Sequence, residues 1–183
     1  MGTPAPRPVT LPRTVWQRLR TRPAAATRAV AERAGVRVQS LPARIAPGAG
    51  TVAGHALTLR QVPTRTDDAS RLGPLLAAGA DEVVGVTDAA ALPKDVVARL
   101  AAQHVAGILT DGTLAPASSP IAVASSGAPV RGWHEAHRPT GTNTPIVVHG
   151  CTIEAGDLVV IDAVECLIFP AHCQSLPVEA LTT

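Results

Sequence analysis

The segment Trp133-His134-Glu135-Ala136-His137 concentrates proton-transfer chemistry. His134 and His137 stand three residues apart, a spacing that on a helical turn puts both rings on one side, with Glu135 between them. Such a group suits general acid/base work by an imidazole. A zinc reading is weaker, because the HExxH pattern is one residue short and no third ligand is specified nearby. His149 and Cys151 alternate with Val148 and Gly150 on an expected strand, which would point both side chains one way. The plain reading of all these groups is loop-stabilising hydrogen bonds. Asp88, Asp111 and Asp162 each close an apolar run, where a carboxylate either caps a turn or lines a crevice beside a sheet. No GxGxxG after a strand, no P-loop and no GxSxG is present, so the strong signatures for dinucleotides, nucleoside triphosphates and hydrolase serines are missing.

These residues have to be positioned by a mixture of helices and strands. Thr14 to Gly35 reads as helix, interrupted at Pro23, with Gly35 as its stop. Residues 51 to 60 alternate as a half-buried strand, and 67 to 80 form a short helix candidate. The run 82 to 87 is a compact apolar strand, and Pro93 starts a helix whose Val96, Val97, Leu100 and Ala101 make one stripe. Residues 105 to 110 form another buried strand, so 82 to 112 is a strand-helix-strand crossover and part of the sheet is parallel. Beyond Gly112 the helical period vanishes. "IAVAS" and "PIVVHG" read as strands with a long loop from Ser125 to Pro145 between them. Glu154 to Asp157 makes a turn, and the strands Leu158 to Ile161 and Cys166 to Phe169 are joined tightly through Asp162 to Glu165. The expected class is α/β in the first two thirds and mostly β afterwards.

Composition narrows the class further. With 183 residues the chain holds one domain with a sizeable core. Trp16, Trp133 and Phe169 are its only aromatic residues, so Ala, Val, Leu and Ile must fill that core, and subunit association is expected to add burial. The formal charge of +2 is uneven: residues 1 to 40 carry eight arginines against Glu32, while the remainder is acidic overall. A basic arm suits an acidic partner, but without a basic field on the body or stacking residues nucleic acid is not the expected ligand. Three cysteines without CxxC indicate reduced thiols in a cytoplasmic protein. No apolar stretch reaches membrane-spanning length, so no membrane partner is expected. The expected organisation is a flexible basic arm over 1 to 13, a single domain over 14 to 171 and a tail over 172 to 183.

The run "HVAGILTDGTLAPASSPIAVASSGAPVRG", followed by "TPIVVHGCTIEAGDLVVIDAVECLIFPA", resembles the RraA-like family. That family contains the regulators of ribonuclease E activity and the 4-hydroxy-4-methyl-2-oxoglutarate aldolases; the resemblance runs from about Thr27 to Ala171 and includes "IAPGAGTVAGHALTLR". It implies a swivelling α/β/β/α domain with a mixed sheet, assembled as trimers or pairs of trimers with pockets between subunits. It also implies magnesium or manganese and a 2-oxo acid near an Asp-Gly-x-x-Arg-Asp segment. Here Asp111 and Gly112 remain, but Ala115 and Pro116 replace the arginine and the second aspartate. The carboxylate clamp and the charge that anchors the metal are thereby lost. The family's glycine-rich segment is replaced by Asp88, Ala89, Ala90, Ala91, Leu92 and Pro93, whose Cβ atoms narrow the space for a ligand.

The expectation is a repurposed enzyme, a lyase or isomerase that acts without metal or other cofactor on a small carbonyl-containing metabolite in a biosynthetic pathway. His134, Glu135, His137, Asp111 and Asp162 are its candidate proton-transfer groups, and Trp133, Asp88, Gly112 and Ala115 its substrate-binding residues. Two alternatives stand beside it: a catalytically silent trimer that binds and regulates a protein, and a divergent divalent-metal-dependent 2-oxo acid aldolase or decarboxylase.

Overall fold

The computed structural model describes residues 11–41, 44–46, 50–64, 78–79, 82–86, 94–112, 121–125 and 136–173. Two short helices come first, α1 (Arg13–Thr21) and α2 (Ala24–Arg33), separated at Pro23. Gly35 ends α2 at φ +75°, with Val36 N–H bonded to Ala31 O (2.9 Å) and Gly35 N–H to Glu32 O (3.0 Å). Paired bonds of this kind close a helix through one left-handed residue, which glycine adopts at least cost.

Strands follow: β1 (Gln39–Leu41), β2 (Arg44–Ala46), β3 (Val52–Thr64), β4 (Glu82–Val86), β5 (Gly107–Thr110), β6 (Ala122–Ser125), β7 (Ala136–Thr142), β8 (Ile146–Val148), β9 (Cys151–Ile153), β10 (Leu158–Ile161) and β11 (Cys166–Phe169). Helix α3 (Lys94–Ala102) links β4 to β5. The expected crossover over 82 to 112 is therefore present, and β3, β4, β5 and β6 run parallel. The expected loop from Ser125 to Pro145 is corrected in part. Its second half is β7, which pairs antiparallel with the far end of β3, a strand that runs to Thr64 rather than stopping near residue 60. Backbone pairing organises Ala136–Thr142 where side-chain alternation gives no signal. The helix candidate at 67 to 80 lies outside the described residues except for Ala78 and Gly79.

The sheet order is β1-β11-β10-β3-β4-β5-β6-β2, with β7 attached to β3. Laid flat, those eight strands would separate β1 from β2 by about 34 Å. Yet only residues 42 and 43 lie between Leu41 and Arg44, a distance the chain spans in at most about 11 Å. The sheet must therefore curl until its two edges meet. Its outer and inner faces carry separate cores. Val15, Leu19 and Ala31 of the first two helices pack outside on Leu158, Val160, Leu167 and Phe169. Val96, Val97 and Leu100 of α3 pack outside on Leu59, Ile108 and Val123. The alternating residues, among them Ala56, Leu109, Ala124, Val159, Ile161 and Ile168, meet inside. Helix, sheet, sheet, helix is thus the layer order, a mixed α/β fold.

The β8–β9 hairpin fills the interior at one end. Ile146, Val148 and Ile153 join the inner core while Val147 stays 55% exposed. Thr58 Oγ on β3 donates to Thr144 O (2.7 Å), and a Cβ on Gly85 of β4 would come 3.1 Å from Ile146 Cδ1. The chain entering the hairpin therefore crosses the inner face from β3 over β4 toward β5.

Candidate functional site

The crossing ends at the carboxyl end of β5, where Asp111 and Gly112 follow Thr110. Thr110 Oγ is buried and accepts the Gly112 N–H (3.0 Å), which fixes the turn out of the strand. The Asp111 carboxylate meets the tip of the hairpin: its Oδ1 accepts the His149 backbone N–H at 2.9 Å and lies 3.8 Å from His149 Nε2. His149 and Gly150, at φ +49° and +77°, form the two-residue turn between Val148 and Cys151. Positive φ at both central positions is the turn whose twist suits a tight hairpin. This corrects the reading of His149 and Cys151 as alternating residues of one strand. His149 is a turn residue, and the signal for it was the His-Gly pair flanked by apolar residues.

A non-glycine residue in the left-handed region carries strain, and such residues persist where the surroundings fix them. Asp111 supplies the fixing bond. The His149 side chain is 11% exposed and that of Asp111 30%, so the carboxylate faces outward with the imidazole behind it. His149 Nε2 is buried and has no hydrogen-bond partner among the described residues. A small turn of the ring would bring it onto Asp111 Oδ1. The pair can therefore present a reachable base backed by an imidazole.

The remaining candidates fall elsewhere. Asp162 ends β10, antiparallel to β3, whereas Asp111 ends β5, which follows β3 in direction. The registers put the two carboxylates at opposite ends of the sheet, about 30 Å apart along the strands. These two candidate proton-transfer groups therefore do not meet within one chain, because the two strands run opposite ways. Asp162 is also occupied: it accepts N–H groups from Ala24 (2.7 Å), Val164 (2.8 Å) and Glu165 (2.9 Å). Burial pushes its carboxyl upward, but those donors outweigh burial and hold it below the ordinary value. Asp157 serves the turn before β10 in a similar way, accepting from Glu154 and Ala171 N–H, yet burial dominates there and raises it.

His137 sits on β7 with its backbone opposite Pro63 of β3, so from Ala136 onward the segment is extended rather than a helical turn. That register places it at the same end of the sheet as Asp111. Trp133, His134, Glu135, Asp88 and Ala115 lie outside the described residues. Among the described residues no three His, Cys, Asp or Glu side chains come together as a metal would need. Among the described residues the hard, oxygen-rich set that magnesium prefers is not assembled here: Asp111 Oδ1 takes the His149 N–H, and the sequence offers no side-chain oxygen at Ala115 or Pro116. No described helix is long and apolar enough to cross a membrane.

No protein-family model matches the chain, and no curated protein does. Solved structures do. Streptomyces coelicolor RraAS2, an unusual member of the RNase ES inhibitor RraA protein family, aligns with a TM-score of 0.73 and 22% identity, over 96% of this chain and 94% of that one. The RNA-processing inhibitor RraA from Thermus thermophilis gives 0.59 and 20% over 79% and 92%. A structure described as a novel cellulase from microbes of the gut ecosystem gives 0.74 and 18% over 97% and 86%. The layers and sheet described above are thus those of an RraA-like swivelling domain. That likeness establishes the fold, and the differing descriptions of the three structures show that the fold alone does not choose an activity.

Proposed function

We propose that the protein is an RraA-like enzyme that moves a proton next to the carbonyl group of a small metabolite, with Asp111 as the base and His149 as its positioning residue. The observation that carries this reading is the Asp111–His149 pair at the carboxyl ends of the parallel strands. Ligands of parallel α/β sheets, closed or open, commonly lie beyond the carboxyl ends of the strands, and a carboxylate held by a backbone N–H keeps its orientation. In this reading Asp111 takes the acidic C–H proton of the bound carbonyl compound, leaving the electron pair in the enolate, and returns the proton either to the same carbon, which is exchange, or to a neighbouring carbon, which is isomerisation. The imidazole, swung onto Oδ1, steadies the carboxylate through both halves of the cycle. Subunits associate as a trimer, whose neighbouring chains enclose the mouth.

The test is exchange of the methyl protons of pyruvate in heavy water, followed by NMR at several pH values. Asp111→Asn should slow exchange by about 10²- to 10⁴-fold. Wild-type exchange no faster than buffer, for pyruvate and for oxaloacetate, would defeat the reading. Light scattering at the mass of a single 18.7 kDa chain would defeat the trimer.

A second reading is favoured by the near-complete coverage of RraAS2: a silent assembly that binds a ribonuclease. It expects no exchange in any variant, together with inhibition of an RNase E-type enzyme by the wild-type chain.

A further inference from the structure

We infer that Arg60 is the residue that binds an anionic group of the ligand at the mouth where Asp111 and His149 meet. This rests on that site being the ligand site, but not on its chemistry. The sheet face comes from alternation along β3. Ala53, Leu57 and Leu59 face the outer helices, whereas Val52, Ala56 and Thr58 face inward, Thr58 bonding to Thr144 O at the base of the hairpin. Arg60 is two residues beyond Thr58 and shares its face.

The level comes from register. Leu59 pairs with Val86, and Val86 with Thr110, so the next residues, Arg60 and Asp111, stand in one row. Two strand spacings separate them, about 10 Å between backbones. The backbone of Arg60 is anchored: it pairs with Gly141, its carbonyl accepts Thr140 Oγ–H (3.3 Å), and the ladder shifts register immediately after it. Its side chain is exposed, and its guanidinium has no hydrogen-bond or ion-pair partner among the described residues. Two other arginines are spoken for: Arg28 pairs with Glu165 (3.2 Å), and Arg20 lies over the Trp16 ring and reaches Ala53 O.

A cation carried on an anchored backbone across a mouth from a carboxylate orients a short ligand that has an anion at one end and an acidic C–H at the other. It also offsets the repulsion between that anion and Asp111. The fork of a guanidinium matches a planar carboxylate with two parallel hydrogen bonds, so the ligand class is a small carboxylate with a carbonyl near it.

The probes are pyruvate and its uncharged ester methyl pyruvate, titrated into the full-length chain and followed by NMR shifts or calorimetry. The wild type should bind pyruvate more tightly than the ester, and the difference should shrink with added salt. Arg60→Gln should weaken pyruvate by at least about tenfold and leave the ester unchanged, while Arg60→Lys restores part of the loss. Equal pyruvate affinity in Arg60→Gln, or no pyruvate binding at millimolar concentration by the wild type, overturns the assignment. Arg60-dependent binding without any proton exchange would leave this inference standing and remove the catalytic reading instead.

Discussion

The N–H of Ala24 lies 2.7 Å from Oδ2 of Asp162, a residue 138 positions later in the chain. Ala24 is the first residue of α2, and the residue before it is Pro23, which has no side chain able to cap. Asp162 therefore supplies from β10 the cap that the local sequence lacks, while its other oxygen holds the β10–β11 turn through Val164 and Glu165. Glu165 in turn pairs with Arg28 of α2. Helix and hairpin are locked by one carboxylate.

Asp162→Ala should accordingly lower stability by about 2–3 kcal/mol, the cost of an N-cap plus unpaired turn donors, with little effect on exchange catalysis. Urea unfolding measures the first and the pyruvate assay the second. Because its folded carboxyl titrates below the ordinary value, its contribution is complete above about pH 4 and fades as pH falls through the folded pKa. The variant should thus show a flatter loss of stability on the acid side than the wild type. A parallel curve would mean that the carboxylate is not the linked group.

The two thiols of the inner core should resist modification. Burial raises Cys166, which faces the interior with no exposure, and also raises Cys151 beside it in the hairpin. The thiolate is the reactive form, so alkylation of Cys166 at pH 8 should be undetectable over an hour and immediate in urea. Mass spectrometry of the labelled peptides reads both. Rapid native labelling of Cys166 would show that the curled sheet opens.

His104 and His149 supply a matched pair. Both are left-handed, His104 at φ +60° ending α3 with Val105 N–H on Leu100 O and His149 at φ +49° in the hairpin turn. Glycine at either position removes the strain of a side chain there, so each substitution should stabilise by about 0.5–1 kcal/mol. His104→Gly should leave exchange untouched. His149→Gly should slow it at least tenfold despite the added stability, since only this substitution removes a ring that lies beside the Asp111 carboxylate. Thermal melts and the exchange assay together decide.

Much of this architecture was legible because the apolar runs end in clear punctuation: Leu158–Ile161, Cys166–Phe169 and the crossover over 82 to 112 came from periodicity, and Gly35 and Pro23 from helix-ending chemistry. The curl was not legible, because it depends on β1 and β2 pairing with β11 and β6, partners more than 75 residues away in sequence. Strand β7 was hidden for a related reason: Ala136–Thr142 contains Pro139 and Gly141 and has no alternation, and only its pairing with β3 makes it a strand. At the site, Asp111 was visible as a strand-end carboxylate, but its pairing with His149 was not. His134 and His137 cluster in sequence, whereas His149 meets Asp111 only after the hairpin crosses three strands.

That meeting sets the last expectation. Asp111 and His149 act as one unit if the imidazole serves only to hold the carboxylate, so their losses should not add. Asp111→Asn alone should remove nearly all exchange. His149→Gln alone, which keeps the backbone N–H bond to residue 111 but loses the ring, should cost about 10- to 100-fold and shift the pH dependence of the rate, a change that loss of turn geometry would not produce. In the double variant the further loss should be under about threefold, because the base that the ring supports is already gone. Full additivity of the two losses would show that each group meets the substrate separately, and His149 would then have to leave its buried position during turnover.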